Sequence, residues 1–182
     1  MGSNPIIVAP RSRKQIEEYA LAVRRALDVP DGSAVDMLRL LELVLPRVLE
    51  DYRFEVVPDR ELGEAEATTS MTERTIKMGE TYYEAARRGH VRYPFTLAHE
   101  LGHLLMHTGS QAQMARGDSV KPYVSAEWQA DAFAGAFLMP AAEVRLCSSI
   151  SEIMARFGVS GAAAEVRTKV LKIELPSLPK AF

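Results

Sequence analysis

A chain of 182 residues, 47% hydrophobic and 25% charged, is long enough to bury one substantial core. Its net charge of −2 gives no general drive toward nucleic acid or an anionic membrane. Its apolar runs fall short of the roughly 18 residues of a spanning helix, and Arg11, Arg13 and Lys14 follow Ile6, Ile7 and Val8 too closely for a signal core. A single cysteine, Cys147, excludes a disulfide or a thiolate metal cluster, so the expected location is cytoplasmic.

Ser12 and Gln15 have capping-box spacing, and Ile16, Ala20, Val23 and Leu27 follow at helical period, which predicts a first helix. Asp28 to Gly32 ends it. A second helix is predicted from Ser33 to Asp51, with Val35, Leu38, Leu41, Leu45 and Leu49 inward and Pro46 kinking or dividing it. Alternation through Tyr52, Phe54 and Val56 predicts a strand over residues 52–57. The Thr-rich stretches 65–73 and 74–78 predict one or two more strands, and residues 81–88 a short helix. His90, after Arg87, Arg88 and Gly89, reads as a helix-end residue near the C-terminal dipole.

The next segment carries chemistry. Residues 98–107 read AHELGHLLMH, in which His99, Glu100 and His103 form H-E-x-x-H. On a helix His99 and His103 lie one turn apart on one face, where two imidazoles can bind one Zn²⁺ and Glu100 can deprotonate water. Pro94 suits a first turn, and Leu97, Leu101, Leu104 and Leu105 form the stripe that would seat this helix in a core. Gly102 costs about 1 kcal/mol of helix propensity, which makes sense if another backbone or a substrate strand passes close by. His107 lies two turns beyond His99, about 12 Å of rise, so both cannot reach one ion. A structural role is preferred for it.

Catalytic zinc usually takes three protein ligands. Ser125 is the expected N-cap of an apolar helix, from Ala126 to Met139, on which Glu127 and Asp131 face the same way. We assign Glu127 to the metal and Asp131 to a hydrogen bond with His99, though the spacing alone also permits the swap. Mn²⁺ and Fe²⁺ also suit a two-histidine, one-carboxylate set. The transition-state donor is expected among Tyr82, Tyr83, Tyr93, Tyr123 and His107, without a choice among them. Residues 109–124, rich in Gly and Ser, read as a mobile loop able to close over a substrate.

Toward the C-terminus, residues 150–171 predict two helices meeting at Gly158, with Val159 and Ser160 as staple and cap. The spacing is reminiscent of a helix-turn-helix, but the charges are modest, and packing on the core is preferred to DNA binding. The expected organisation is a metallopeptidase core over residues 1–148, a helical pair over 149–175 and a loose tail over 176–182.

The strings FTLAHELGHLLMH (95–107), EWQADAFAGAFLMP (127–140) and FGVSGAAAEVR (157–167) resemble the ImmA/IrrE family of zinc-dependent metallopeptidases. The resemblance covers most of the chain and implies an α+β, mostly helical minimal metallopeptidase core with a small antiparallel sheet. It implies a gluzincin-like site with His99, His103 and Glu127 as ligands, Glu100 as acid/base and Asp131 in support. It further implies cleavage of a helix-turn-helix transcriptional repressor, derepressing mobile-element or stress-response genes. With no room for a fused DNA-binding or sensor domain, the expected form is the short, stand-alone one. The alternative is a non-proteolytic, zinc-containing regulatory protein that binds a repressor or DNA. Neither a membrane partner nor a particular oligomeric state is expected.

Overall fold

The computed structural model describes residues 6–107, 113–114 and 121–175. Helix α1 (Arg13–Ala26) starts at the expected capping box, where the Ser12 N–H donates to Gln15 Oε1 at 2.8 Å and the Gln15 N–H donates to Ser12 Oγ at 3.3 Å. The following helical stretch is shorter than predicted. It begins at Met37, capped by Asp36, whose carboxylate accepts from the Arg39 N–H at 3.0 Å. It then divides into α2 (Met37–Arg39), a π turn (Leu40–Val44) and α3 (Leu45–Val48). Pro46, lacking an N–H, explains the division, because the π turn resets the hydrogen-bond register just before it.

Three strands, β2 (Arg53–Val57), β3 (Ala67–Ser70) and β4 (Thr75–Gly79), form a sheet in the order β2-β4-β3. The sheet is mixed, which corrects the expected antiparallel one: β3 and β4 form an antiparallel hairpin, but β2 runs parallel to β4. The chain between β2 and β3 includes a 3-10 turn (Asp59–Glu61) and is long enough to carry β3 past β4. Strand β4 is thereby central, and its Ile76 and Met78 are fully buried. A second, two-stranded antiparallel pair joins β1 (Ile6–Ile7) to β5 (Gln113–Met114). The expected mobile stretch 109–124 lies largely outside the described residues, as does the tail 176–182.

Helix α4 (Glu80–Arg87) leads through Gly89, at φ +80°, to the motif helix α5 (Tyr93–His107). Helix α6 (Ala126–Leu138) is capped by Ser125, whose Oγ accepts from the Trp128 N–H at 3.3 Å. The close backbone anticipated at Gly102 is that of α6. A Cβ there would lie 3.2 Å from Ala130 Cα and 3.1 Å from Phe133 Cδ1. Helices α5 and α6 therefore pack nearly backbone to backbone.

After α7 (Ala141–Val144), helices α8 (Ile150–Phe157) and α9 (Gly161–Leu171) turn at Gly158, at φ +65°, and Ser160 caps α9. Ile150, Ile153, Phe157, Val159 and Ala164 enter the same hydrophobic core as α5 and α6. Arg167, 2% exposed, donates to Glu17 on α1 and to the Met139 carbonyl at the end of α6. The exposed face of α9 carries Ala162, Val166 and Lys169, a poor match to phosphate. Among the described residues, no helix is long and apolar enough to cross a membrane.

Candidate metal centre

Helices α5 and α6 bring His99, His103 and Glu127 together. His99 Nε2 lies 3.0 Å from His103 Nε2, and the two Glu127 oxygens lie 3.3 Å from one imidazole each. A tetrahedral ion with bonds of about 2.0–2.1 Å sets its ligands about 3.3 Å apart, so these atoms fit three corners around one small cation. Among the described residues, this trio forms the one histidine–carboxylate cluster able to hold a metal ion. Asp131 lies on the other side of the ring and reaches the far nitrogen of His99, with Oδ1 2.8 Å from Nδ1. That contact fixes His99 Nδ1 as the protonated nitrogen and leaves the Nε2 lone pair for a cation.

The electrostatics agree with the geometry. Burial pulls the His99 pKa down, but hydrogen bonds to Asp131 and Glu127 and the charges of Asp131 and Glu100 outweigh it and push it up to about 10. Hydrogen bonds from His103 and then His99 hold the Glu127 carboxyl well below the usual carboxylate range. A place that binds a proton this firmly has the negative potential a divalent cation requires.

Glu100 is half-buried beside this cluster. Its Oε2 accepts from the Thr69 hydroxyl at 2.7 Å, and its backbone carbonyl lies 3.0 Å from the same hydroxyl. Thr69 belongs to β3, an edge strand, and nothing in the sequence marks it. Only the packing of β3 against α5 makes the contact.

The donor candidates separate. His107, 2% exposed, is a correction to that set. Its ring nitrogens are engaged by His103 and Gln129 instead of facing the cleft, and burial holds it down to about 4. Tyr93 is buried against the rings of Tyr82 and His90, six residues and about 9 Å of rise from His99. Tyr83 hydrogen-bonds Glu42 at 2.6 Å. Tyr123, 43% exposed and one turn before Glu127, keeps its ring at the surface. Next to Asp131 opens a cavity of about 590 Å³, lined by apolar groups including Phe95, Trp128, Met139 and Val166, with Arg13 and Arg92 also contributing.

The fold thus carries a helix-borne cluster of two histidines and one carboxylate able to hold a metal ion. Residues 83–169 match the model of the Peptidase M78 family, described as the IrrE N-terminal-like domain, so through this segment the chain is similar to that family. Among solved structures, a Mycobacterium tuberculosis transcriptional regulator has the same fold, with a TM-score of 0.54 at 20% identity. The match covers 85% of this chain and 46% of that one, so this chain spans about half the neighbour's length. No curated protein matches the chain.

Proposed function

We propose that this protein is a cytoplasmic zinc-dependent endopeptidase that cleaves a helix-turn-helix transcriptional repressor and so derepresses mobile-element or stress-response genes. The observation that carries the reading is the convergence of His99, His103 and Glu127 on one cation-sized space with Glu100 beside it. The peptidase family of residues 83–169 supports hydrolysis, and the fold neighbour's description as a transcriptional regulator supports a role in gene control. Zn²⁺ is the metal this donor set suits best, with Mn²⁺ and Fe²⁺ as alternatives.

When bound, the cation supplies Lewis acidity toward a carbonyl and lowers the pKa of water toward about 7. His99, His103 and Glu127 would hold it, with Asp131 keeping His99 in the ligating tautomer. Glu100 takes the proton from water and returns it to the leaving amine. Thr69 holds the Glu100 carboxylate in place for that transfer. Among the described residues, the outer edge of β3 is unpaired, so an extended peptide can add to it as a further strand, alongside Glu100. The cavity beside Asp131 accepts an apolar substrate side chain.

The test is incubation of zinc-loaded protein with candidate helix-turn-helix repressors, followed by mass spectrometry of the products. Wild type should cut its cognate repressor at one or a few bonds. Glu100→Gln should retain zinc and lose at least 100-fold in cleavage rate. Repressors left intact by protein shown to carry one zinc per chain would overturn the reading in favour of a non-proteolytic regulatory protein.

A further inference from the structure

Which side chain enters the cavity beside Asp131 depends on what lines its walls, and they combine apolar surface with one uncommitted positive charge. The cavity, about 590 Å³, lies between α5, α6 and α9, with Arg13, the first residue of α1, also on its wall. Phe95 and Thr96 stand about one turn before His99 on α5, and Asp131 stands one turn after Glu127 on α6. One helical turn is about 5.4 Å, and an extended peptide advances about 3.3 Å per residue. A side chain one or two residues from the bond held beside Glu100 therefore reaches the cavity.

Phe95, Trp128, Met139 and Val166 give the cavity its apolar surface, and Val166 is still 57% exposed there. Three arginines and one carboxylate also line it. Arg167 donates to Glu17 Oε2 at 2.8 Å, Arg92 pairs with Glu66 at 2.8 Å, and Asp131 Oδ1 faces His99 Nδ1 at 2.8 Å. Arg13 has no ion pair among the described residues, and its guanidinium carbon lies 5.0 Å from the centroid of the Trp128 ring. Contact with an aromatic face uses the charge of a guanidinium and leaves its N–H groups to fork onto a carboxylate. Successive side chains of an extended peptide point to opposite faces, so residues two apart reach the cavity and Arg13 together.

We propose that this cavity is a specificity subsite for substrates in which a large apolar side chain lies two residues from a carboxylate, the first filling the cavity and the second held by Arg13. The inference rests on the peptidase reading and names the sequence such a site selects. A small side chain leaves most of the apolar wall in water and gains little. A basic residue in place of the acidic one meets Arg13 as a like charge and is rejected. The chain has a single tryptophan, Trp128, and it lies on the cavity wall beneath Arg13, so its fluorescence reports what occupies the subsite.

The full chain without added metal is titrated with acetyl-Phe-Ala-Asp-amide and with the reversed acetyl-Asp-Ala-Phe-amide, read by Trp128 emission. The comparison peptides carry Ala for Phe or Asn for Asp. At least one order should bind about 10-fold or more tighter than its Ala counterpart. It should also bind about two- to fivefold tighter than its Asn counterpart at low salt, a margin that closes as salt is raised. Arg13→Gln should erase the margin between Asp and Asn while keeping the preference for Phe. Ala162→Leu adds bulk at an exposed position of α9 on the cavity wall, and should weaken the Phe peptides about fivefold or more with urea unfolding unchanged. No measurable binding, equal affinity for the Phe and Ala peptides, or an Asp margin that survives Arg13→Gln would overturn the subsite and leave the peptidase reading standing. Both preferences in a protein whose zinc-loaded form cuts no repressor would refute the peptidase reading, and with it the cavity's part in substrate selection.

Discussion

Replacing Gly102 by Ala tests whether the close approach of α5 and α6 sets the spacing of the ligands. The new Cβ would sit 3.1 Å from Phe133 Cδ1, 3.2 Å from Ala130 Cα and 3.3 Å from the Ala130 carbonyl oxygen. The Phe133 ring can tilt, but the other two atoms are α6 backbone, so the helices must part by a few tenths of an ångström. Helix propensity favours Ala by about 1 kcal/mol, and overpacking opposes it by about 1–3 kcal/mol. The net destabilisation is therefore about 0–2 kcal/mol. The metal centre tolerates less, because ligand bonds hold to within about 0.2 Å and the helix shift falls between His99 and His103 on one side and Glu127 on the other. Zinc affinity should fall about 10-fold or more, a loss of at least about 1.4 kcal/mol. Gly135→Ala is the control: its Cβ would meet only Arg167 Cδ, at 3.8 Å. That variant should gain up to about 1 kcal/mol and bind zinc normally. Urea unfolding of the metal-free proteins and chelator competition read the two quantities separately. A Gly102→Ala protein that binds zinc as tightly as wild type would show slack between the helices and refute the reasoning.

Asp131→Asn removes the charge that holds His99 Nδ1–H and should weaken zinc 10- to 100-fold in chelator competition, with little change in fold. Thr69→Val deletes the hydroxyl donating to Glu100 and should slow repressor cleavage about tenfold, with zinc affinity unchanged. Tyr52 is buried, and its hydroxyl has no hydrogen-bond partner among the described residues, so Tyr52→Phe should stabilise the protein by about 1 kcal/mol at pH 7. Burial, with the Glu42 charge adding to it, also raises the Tyr52 pKa above its ordinary 10. The unfolded chain thus ionises there first, and stability present below pH 10 is lost as pH rises past it. Tyr52→Phe should flatten that loss in unfolding curves collected between pH 9 and 11.

The parts of the molecule legible in the sequence are those whose information is local. The capping box at Ser12 and Gln15, the apolar stripe of α5 and the Ser125 cap of α6 each lie within a few consecutive residues. Strand direction is different. Residues 52–57 alternate visibly, but alternation states which face is buried, not which neighbour the strand meets or in which sense, and β2 proved parallel to β4. Arg24 occupies a fully buried position of α1, where its guanidinium donates to the Phe137, Pro30 and Ser33 carbonyls. Its sequence neighbours give no hint of these acceptors, which are brought to it by the turn after α1 and the end of α6.

Gln129 was legible in principle. Helix α6 otherwise buries Ala126, Ala130, Phe133, Ala134, Phe137 and Leu138, and a helix needing only to pack would carry an apolar side chain at 129 as well. Burying an amide without partners costs roughly 1–3 kcal/mol in proteins, so a polar side chain there signals three or four waiting hydrogen bonds. The structure supplies three, to Ala9, Tyr123 and His107. Glu127 and Asp131 are exposed, so burial does not mark them, and only their contacts do. Glu127 and Asp131 reach His103 and His99, and with Gln129 they account for the ionisable and amide side chains of α6. A helix this apolar, whose carboxylates and amide all turn toward three histidines of one neighbour, is shaped by the demands of the metal centre as much as by those of the core.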